Sequence, residues 1–379
     1  MYKQLLALST FTGTIIGVGL FGLPYVTSRI GFIPMIFYFL ILTFIMIIIH
    51  LMYGEITLRT VENHRLPGYC KIYLNRSMEI LTTITTFIGL TGSLLAYIIV
   101  GGEFLANLMI PWFGGTTFLY SLIFFVVGAL IIYFGGGPIS KTEFFSLGLF
   151  FVVLAILFTK SLDYIDLDNF RVIDINFKNL FLPYGVILFS LGGMAVLPEI
   201  KEILKNQEKS MKNLVIIGTL IPAITYLLFI ITVYGVTGQN TTEEGMIGLN
   251  SALGNGVVQL GFLFGIITTF TSFLTLGVTL KKEFHYDWNL PHLLSWAIAC
   301  LPVLILFIIG LKDFIGIISF IGSVTLGIDI TIIMIIYLKL RQKSQRIPAY
   351  SVNVSKPWII ILTTVFLLGI VIEIINILV

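Results

Sequence analysis

Gly13-Thr-Ile-Ile-Gly17-Val-Gly19-Leu-Phe-Gly22-Leu-Pro24 lies in the middle of the first long apolar segment of the chain. Four glycines and a proline stand where a membrane helix would otherwise run on. Glycine adds backbone freedom, and Pro24 cannot donate to a helical ladder. The stretch therefore reads as a helix that stops, opens for a few residues and restarts. In lipid, freed N–H and C=O groups persist only where they face protein, a ligand or a water-filled cavity. The pattern predicts a binding site near the bilayer midplane.

Composition agrees with a bilayer setting. Of 379 residues, 57% are hydrophobic and 11% charged, and the mean hydropathy is +1.03. A soluble core of this length would need far more charged surface, so the class is an all-α, polytopic membrane protein. The formal charge is only +3, with no basic stripe outside the loops, which argues against a nucleic acid partner. Cys70 and Cys300 fall in a loop and in an apolar span and imply no disulfide framework. The first apolar segment does not read as a signal peptide: Lys3 is its sole basic flank, it is too long for an h-region, and no small-x-small site follows. His50, His64, His285 and His292 are scattered without metal spacing. An enzyme is not indicated, and no cofactor is expected.

A span needs about 20 mostly apolar residues. Eleven candidates run near 4–29, 32–58, 78–109, 117–135, 142–161, 180–203, 211–237, 256–281, 291–310, 313–339 and 357–378. Lys and Arg divide unevenly between alternate loops. One side holds Lys3, Arg59, Arg65, Lys71, Arg76, Lys141, the lysines from 201 to 212, Lys281, Lys282 and the basic residues from 339 to 356, in all 17 of 22. The other holds Arg29, Lys160, Arg171, Lys178 and Lys312. The excess marks the cytoplasmic side. The reading is a multi-pass protein of the cytoplasmic (inner) membrane, N-terminus inside and C-terminus outside. Asp163, Asp166, Asp168, Asp174, Glu243 and Glu244 on the outer side agree with it. Loop 59–77 could hold a short amphipathic helix, and loop 238–255 an outer lid.

The break in span one has a counterpart. Span six reads Phe189-Ser190-Leu191-Gly192-Gly193-Met194-Ala195-Val196-Leu197-Pro198-Glu199-Ile200. Gly193 precedes Pro198 by five residues, as Gly19 precedes Pro24, and each proline follows a leucine. Close helix packing would explain either break alone. Two matched breaks in oppositely directed spans, five spans apart, are the pointer to an inverted-repeat transporter with its site at the repeat interface.

At these residues the chain resembles a known family. Gly13-Thr-Ile-Ile-Gly17-Val-Gly19 with Leu23-Pro24 is similar to the first helix of the amino acid/auxin permease and hydroxy/aromatic amino acid permease group, within the amino acid–polyamine–organocation superfamily. The Phe-Ser-Leu-Gly-Gly run ending in Pro198-Glu199-Ile200 resembles its sixth helix. Thr271-Ser272-Phe273-Leu274 with Leu276-Gly277 looks like the aromatic branch. The resemblance covers the whole chain in span count, with these three motifs specific. It implies the LeuT fold: a first inverted repeat at 1–161, a second at 180–339, discontinuous helices one and six, and a peripheral span at 357–378. It also implies secondary transport of an amino acid driven by sodium or protons.

An amino acid is a zwitterion, so its site must answer both ends. A half-helix starting at Gly17 to Gly19 offers N–H groups to the carboxylate. Carbonyls near Ile15, Ile16, Phe189 and Ser190 suit the ammonium, and Thr14 and Ser190 add hydroxyls. Neither break contains an ionised side chain, which favours a neutral amino acid. Tyr97 could reach the carboxylate, as the superfamily resemblance suggests, or be a packed ring. Leu191 completes the motif. Gly192 and Gly193 leave volume for a large apolar or aromatic side chain, lined by Phe189 and Met194. The resemblance further implies sodium held by the Gly13, Ile16 and Thr268 carbonyls and the Thr271 and Ser272 hydroxyls, although hydroxyls in a membrane helix often bond only the preceding turn. Some proton-coupled relatives have a lysine in mid span five; here Lys141 and Lys160 lie near its ends, which favours sodium. Proton coupling stays open through Glu103, Glu199 and Asp329, with Glu55 also inside a span. Glu199 could instead form a gate ion pair with Lys201 or Lys205. His50 reads as hydrogen-bonded and buried, and Glu373 as meeting headgroup water. Expected partners are the amino acid and the lipid bilayer, with no obligate protein partner. An amino acid sensor that does not transport is the alternative.

Overall fold

The structure is a computed structural model, describing residues 2–135, 139–171, 179–249 and 253–378. Among these residues every regular element is helical. Three residues of the charge reading, Lys141 (its side chain), Asp174 and Lys178, lie outside the described residues.

The first span is two helices, α1 (Tyr2–Ile15) and α2 (Gly19–Ile30), bent by 45° at the break. The break is narrower than the sequence suggests. Pro24 lies inside α2 and does not interrupt it. A proline removes one ladder bond, whereas the opening at 16–18 follows from the glycines on either side of Val18. After Gly31 come α3 (Phe32–Arg59), the short α4 (Leu66–Tyr73) in the expected loop, and α5 (Arg76–Phe113). At 38 residues, α5 is about 57 Å long and outruns a hydrocarbon core of about 30 Å. Next are α6 (Thr117–Phe134) and α7 (Ile139–Ser161).

The second half also opens on an interrupted helix. It begins with α8 (Leu182–Ser190), an opening at 191–196, and α9 (Leu197–Ile203). Pro198 occupies the first turn of α9, where a missing N–H costs nothing. There follow α10 (Met211–Thr237), α11 (Asn255–Lys282), α12 (His292–Ile308), α13 (Phe314–Phe320), α14 (Leu326–Leu340) and α15 (Lys356–Leu378). A π-helical turn, Ile321–Thr325, joins α13 to α14.

Eight helices among the described residues are long and apolar enough to cross a bilayer, and the bent α1–α2 pair makes nine. The two other expected crossings coincide with the 17-residue α12 and with the α8–α9 pair. One face gathers the strongly basic loops. There Arg346 bonds Glu208 at 3.0 Å and Lys343 donates to Tyr73 O at 3.0 Å. The Glu55 carboxylate takes Arg59 at 2.8 Å, the Tyr337 hydroxyl at 3.0 Å and the Val352 N–H at 2.7 Å. So engaged, Glu55 is a strut between α3, α14 and loop 341–355. On the opposite face, residues 162–171 pack on the end of α10 through Tyr234 and Asn169. Residues 238–249 pack there too, with Met246 and Leu249 buried.

Glu373 departs from the sequence reading. It does not meet headgroup water. It is 6% exposed and accepts from Ser319 Oγ at 2.7 Å, which ties α15 to α13. A carboxyl on an apolar helix turns toward hydroxyls rather than lipid. The closest backbone approach is nearby: a Cβ on Gly322 would run into the Gly185 carbonyl, which packs α8 directly on the π turn. Gly322→Ala should therefore lower stability by about 1–3 kcal/mol through overpacking. Gly148→Ala, with open space around it, should be neutral or slightly stabilising. Thermal unfolding in detergent, followed by the loss of the monodisperse chromatographic peak, checks both.

Candidate functional site

Stopping α1 at Ile15 and restarting at Gly19 strips helical partners from the carbonyls before the break and the N–H groups after it. Some bonds survive: Ile16 N–H reaches Thr12 O at 2.9 Å, and Phe21 N–H reaches Val18 O at 3.1 Å. Two tyrosines stand beside the opened backbone. The Val18 N–H faces the Tyr97 hydroxyl, which also meets Ser272. The Gly17 N–H faces the Tyr226 hydroxyl. Tyr226 in turn lies 2.5 Å from Ile15 O and 3.0 Å from Ser190 O. One phenol from α10 thus clasps the carbonyl ends of both broken helices. Direct packing closes the joint, since a Cβ on Gly19 would meet Ser190 Oγ and come within 2.8 Å of its Cα.

Sequence reasoning missed Tyr226. Its signal was there: a tyrosine inside an apolar span carries a hydroxyl that needs a partner once buried. His50 is buried and hydrogen-bonded, in line with its sequence setting, and its partners matter. Its Nδ1 lies 3.1 Å from Thr219 Oγ1, and its Nε2 accepts the Gly193 N–H at 3.3 Å.

Below this joint is a cavity of about 1060 Å3 of empty space, mouth and adjoining open space included. Of the expected substrate contacts, Thr14, Ile15, Gly17, Gly19, Tyr97, Phe189, Ser190 and Gly192 line it, as does Met194. Ile16, Leu191 and Gly193 do not: Ile16 and Leu191 are buried in the surrounding core, and Gly193 packs on Ile15 and Phe11. The Thr14 hydroxyl donates to Thr10 O at 2.8 Å and the Ser190 hydroxyl to Val186 O at 2.7 Å. Their hydrogens being engaged, both oxygens offer the cavity lone pairs only.

The cavity extends to Arg65, Leu66, Pro67 and Glu283 on the basic face. Toward the other face the Phe21 ring is set edge-on against Phe104, with centroids 4.8 Å apart, and against Phe229 at 5.8 Å. The site is therefore open to one side and sealed on the other. Asp329 lines the open part and accepts from Thr85 at 2.5 Å. Glu103 lies away from the cavity, toward the sealed face, against Glu244.

At the mouth, Glu199 pairs with Arg65 at 2.6 Å, and not with Lys201 or Lys205 as expected. Lys201 instead donates to Thr60 O at 2.8 Å and caps α3. A capping lysine has its donors engaged by carbonyls, which leaves the carboxylate to the facing loop. Burial works against the Arg65 charge, but the Glu199 carboxylate more than offsets it and leaves the guanidinium pKa raised.

None of Gly13, Ile16, Thr268, Thr271 and Ser272 lines the cavity. Thr271 donates to Thr268 O at 3.1 Å, the local bond expected of a hydroxyl in a membrane helix.

Two oppositely directed broken helices meeting over one cavity define the LeuT fold. The chain superposes on the crystal structure of MhsT in complex with L-phenylalanine with a TM-score of 0.74, at 14% identity, covering 98% of each chain. The tryptophan/tyrosine permease family model matches residues 2–376, and the chain belongs to that family. It is also similar to the tyrosine-specific transport system 1 of Haemophilus influenzae, 25% identical over 285 residues, which is 71% of this chain and 70% of that one. The protein is an amino acid transporter and not an enzyme.

Two predictions follow from the joint. Gly19→Leu should abolish uptake while leaving membrane insertion intact, because the added atoms meet Ser190 backbone. Gly192→Ala should be far milder, since the nearest atoms to a Cβ there lie 3.1–3.2 Å away; uptake normalised to protein in the membrane tests the order. Tyr226→Phe removes the only hydrogen shared by the two carbonyls. It should destabilise the fold by about 1–3 kcal/mol, the cost of unsatisfied buried acceptors, measurable as a lowered melting temperature.

Proposed function

We propose that the protein is a symporter of neutral aromatic amino acids, sodium-coupled, working by alternating access across the cytoplasmic membrane. The observation that carries this reading is the clasped pair of breaks over a cavity open to one side. The cavity offers lone pairs from Thr14 and Ser190 to an ammonium and the start of α2 at Gly19 to a carboxylate. Phe189, Leu90, Ile321 and Leu326 supply apolar wall for a large side chain. The tyrosine in the name of the Haemophilus influenzae relative and the L-phenylalanine bound in the MhsT structure are in keeping with such a wall.

The basic face, into which the cavity opens, is taken as cytoplasmic on the excess of Lys and Arg. All eleven expected spans then cross, and this conformation faces inward. Opening to the outside requires the Phe21, Phe104 and Phe229 contacts and the 238–249 lid to part while the Arg65–Glu199 pair closes the inner mouth. Substrate drives the cycle only in so far as it prefers the occluded state.

For sodium, Gly13, Ile16 and Thr268 offer carbonyls and Thr271 and Ser272 hydroxyls. A hard cation takes such oxygens. The hydrogen of Thr271 is engaged within α11, so its oxygen can only present lone pairs. A second reading is proton coupling, favoured by the Asp329 carboxyl in the cavity wall.

Purified protein in liposomes decides among these. Labelled tyrosine should accumulate with an inward sodium gradient and exchange in counterflow. Accumulation driven by a proton gradient alone would replace sodium with protons. Binding without counterflow would make the protein a sensor.

A further inference from the structure

We propose that His50 is a positioning residue of the substrate site: by accepting the Gly193 N–H, it turns the Gly192 carbonyl into the cavity to receive the substrate ammonium. This rests on the amino acid reading above. The reasoning begins with the peptide unit between Gly192 and Gly193. It is planar and trans, so its N–H and C=O point in opposite directions. The N–H goes to His50 Nε2 at 3.3 Å. The C=O must then point away from α3, and Gly192 is the member of the pair that lines the cavity. Among the described residues no protein donor reaches the Gly192 oxygen.

Two adjacent glycines do not hold a peptide orientation by themselves. His50 does so from outside the broken span. The ring is fully buried, with Phe11 edge-on at 5.3 Å. Because Nε2 accepts, the neutral ring carries its hydrogen on Nδ1 and donates it to Thr219 Oγ1 at 3.1 Å. Thr219 passes its own hydrogen to Val215 O at 2.9 Å. Every donor in this chain has an acceptor, so only one tautomer and one ring orientation satisfy it. A residue without an acceptor here would leave the Gly193 N–H buried and unmet, and the peptide would rotate to find another partner.

The test compares His50→Leu, His50→Gln and Thr219→Val in liposomes, with tyrosine as substrate. The competitor is 3-(4-hydroxyphenyl)propionate, which has the same ring and carboxylate but no ammonium. His50→Leu should raise KM for tyrosine about tenfold, the worth of one polar contact, with the maximal rate little changed. It should also cut the preference for tyrosine over the des-amino competitor by about the same factor. His50→Gln keeps an acceptor and a donor and should restore most of that preference. Thr219→Val, which disturbs only the second link, should lose part of it and serves if His50→Leu does not fold. An unchanged preference in folded His50→Leu, or in Thr219→Val if His50→Leu does not fold, overturns the assignment. Failure of the unmodified protein to bind tyrosine at all would instead overturn the amino acid reading itself.

Discussion

A backbone that opens inside lipid has no water to turn to, and that constraint shapes this protein. Each interruption releases N–H and C=O groups that must be met by protein or by a ligand. The Tyr226 hydroxyl meets the Ile15 and Ser190 carbonyls together, His50 takes the Gly193 N–H, and the Tyr97 hydroxyl stands beside Val18. The two interruptions are therefore not independent. They are joined through Tyr226 of α10, with Tyr97 of α5 beside the first and His50 of α3 bonded to the second, which makes one polar centre of two chain segments.

That joint explains why the polar inventory of the cavity is so small. Thr14 and Ser190 are already bonded to their own helices, and the charged residues lie farther out, at Asp329, Arg65 and Glu283. A ligand bound between the breaks is left with lone pairs, a few backbone groups and apolar wall. Such a site matches a molecule that brings both charges itself. The ion pair of Arg65 with Glu199 belongs to the mouth, where water softens its cost.

Packing around the joint uses the same economy of side chains. Ser190 stands where any Cβ on Gly19 would go, and the Gly185 carbonyl where a Cβ on Gly322 would go. Where helices come this close, small residues rather than hydrophobic force set the contact. Polar groups on outer helices turn inward for the same reason lipid excludes them, as Glu373 does toward Ser319.

The sequence alone determined the membrane class, the helical content and the place of both interruptions, because hydropathy and glycine–proline patterns are local properties of the chain. It also marked the part of the cavity wall that the interruptions themselves supply, from Thr14 to Gly19 and from Phe189 to Met194, but not the larger part that α5, α11 and the π turn bring to it. It misjudged Pro24, which a helix absorbs, and the partners of Glu199 and Glu373. Only the tertiary structure decided those partners, along with the clasp by Tyr226 and the latch by His50. Each is a contact between residues far apart in the chain. A single tyrosine or histidine in an apolar run shows that some partner must exist, but which backbone group it meets depends on how the helices pack.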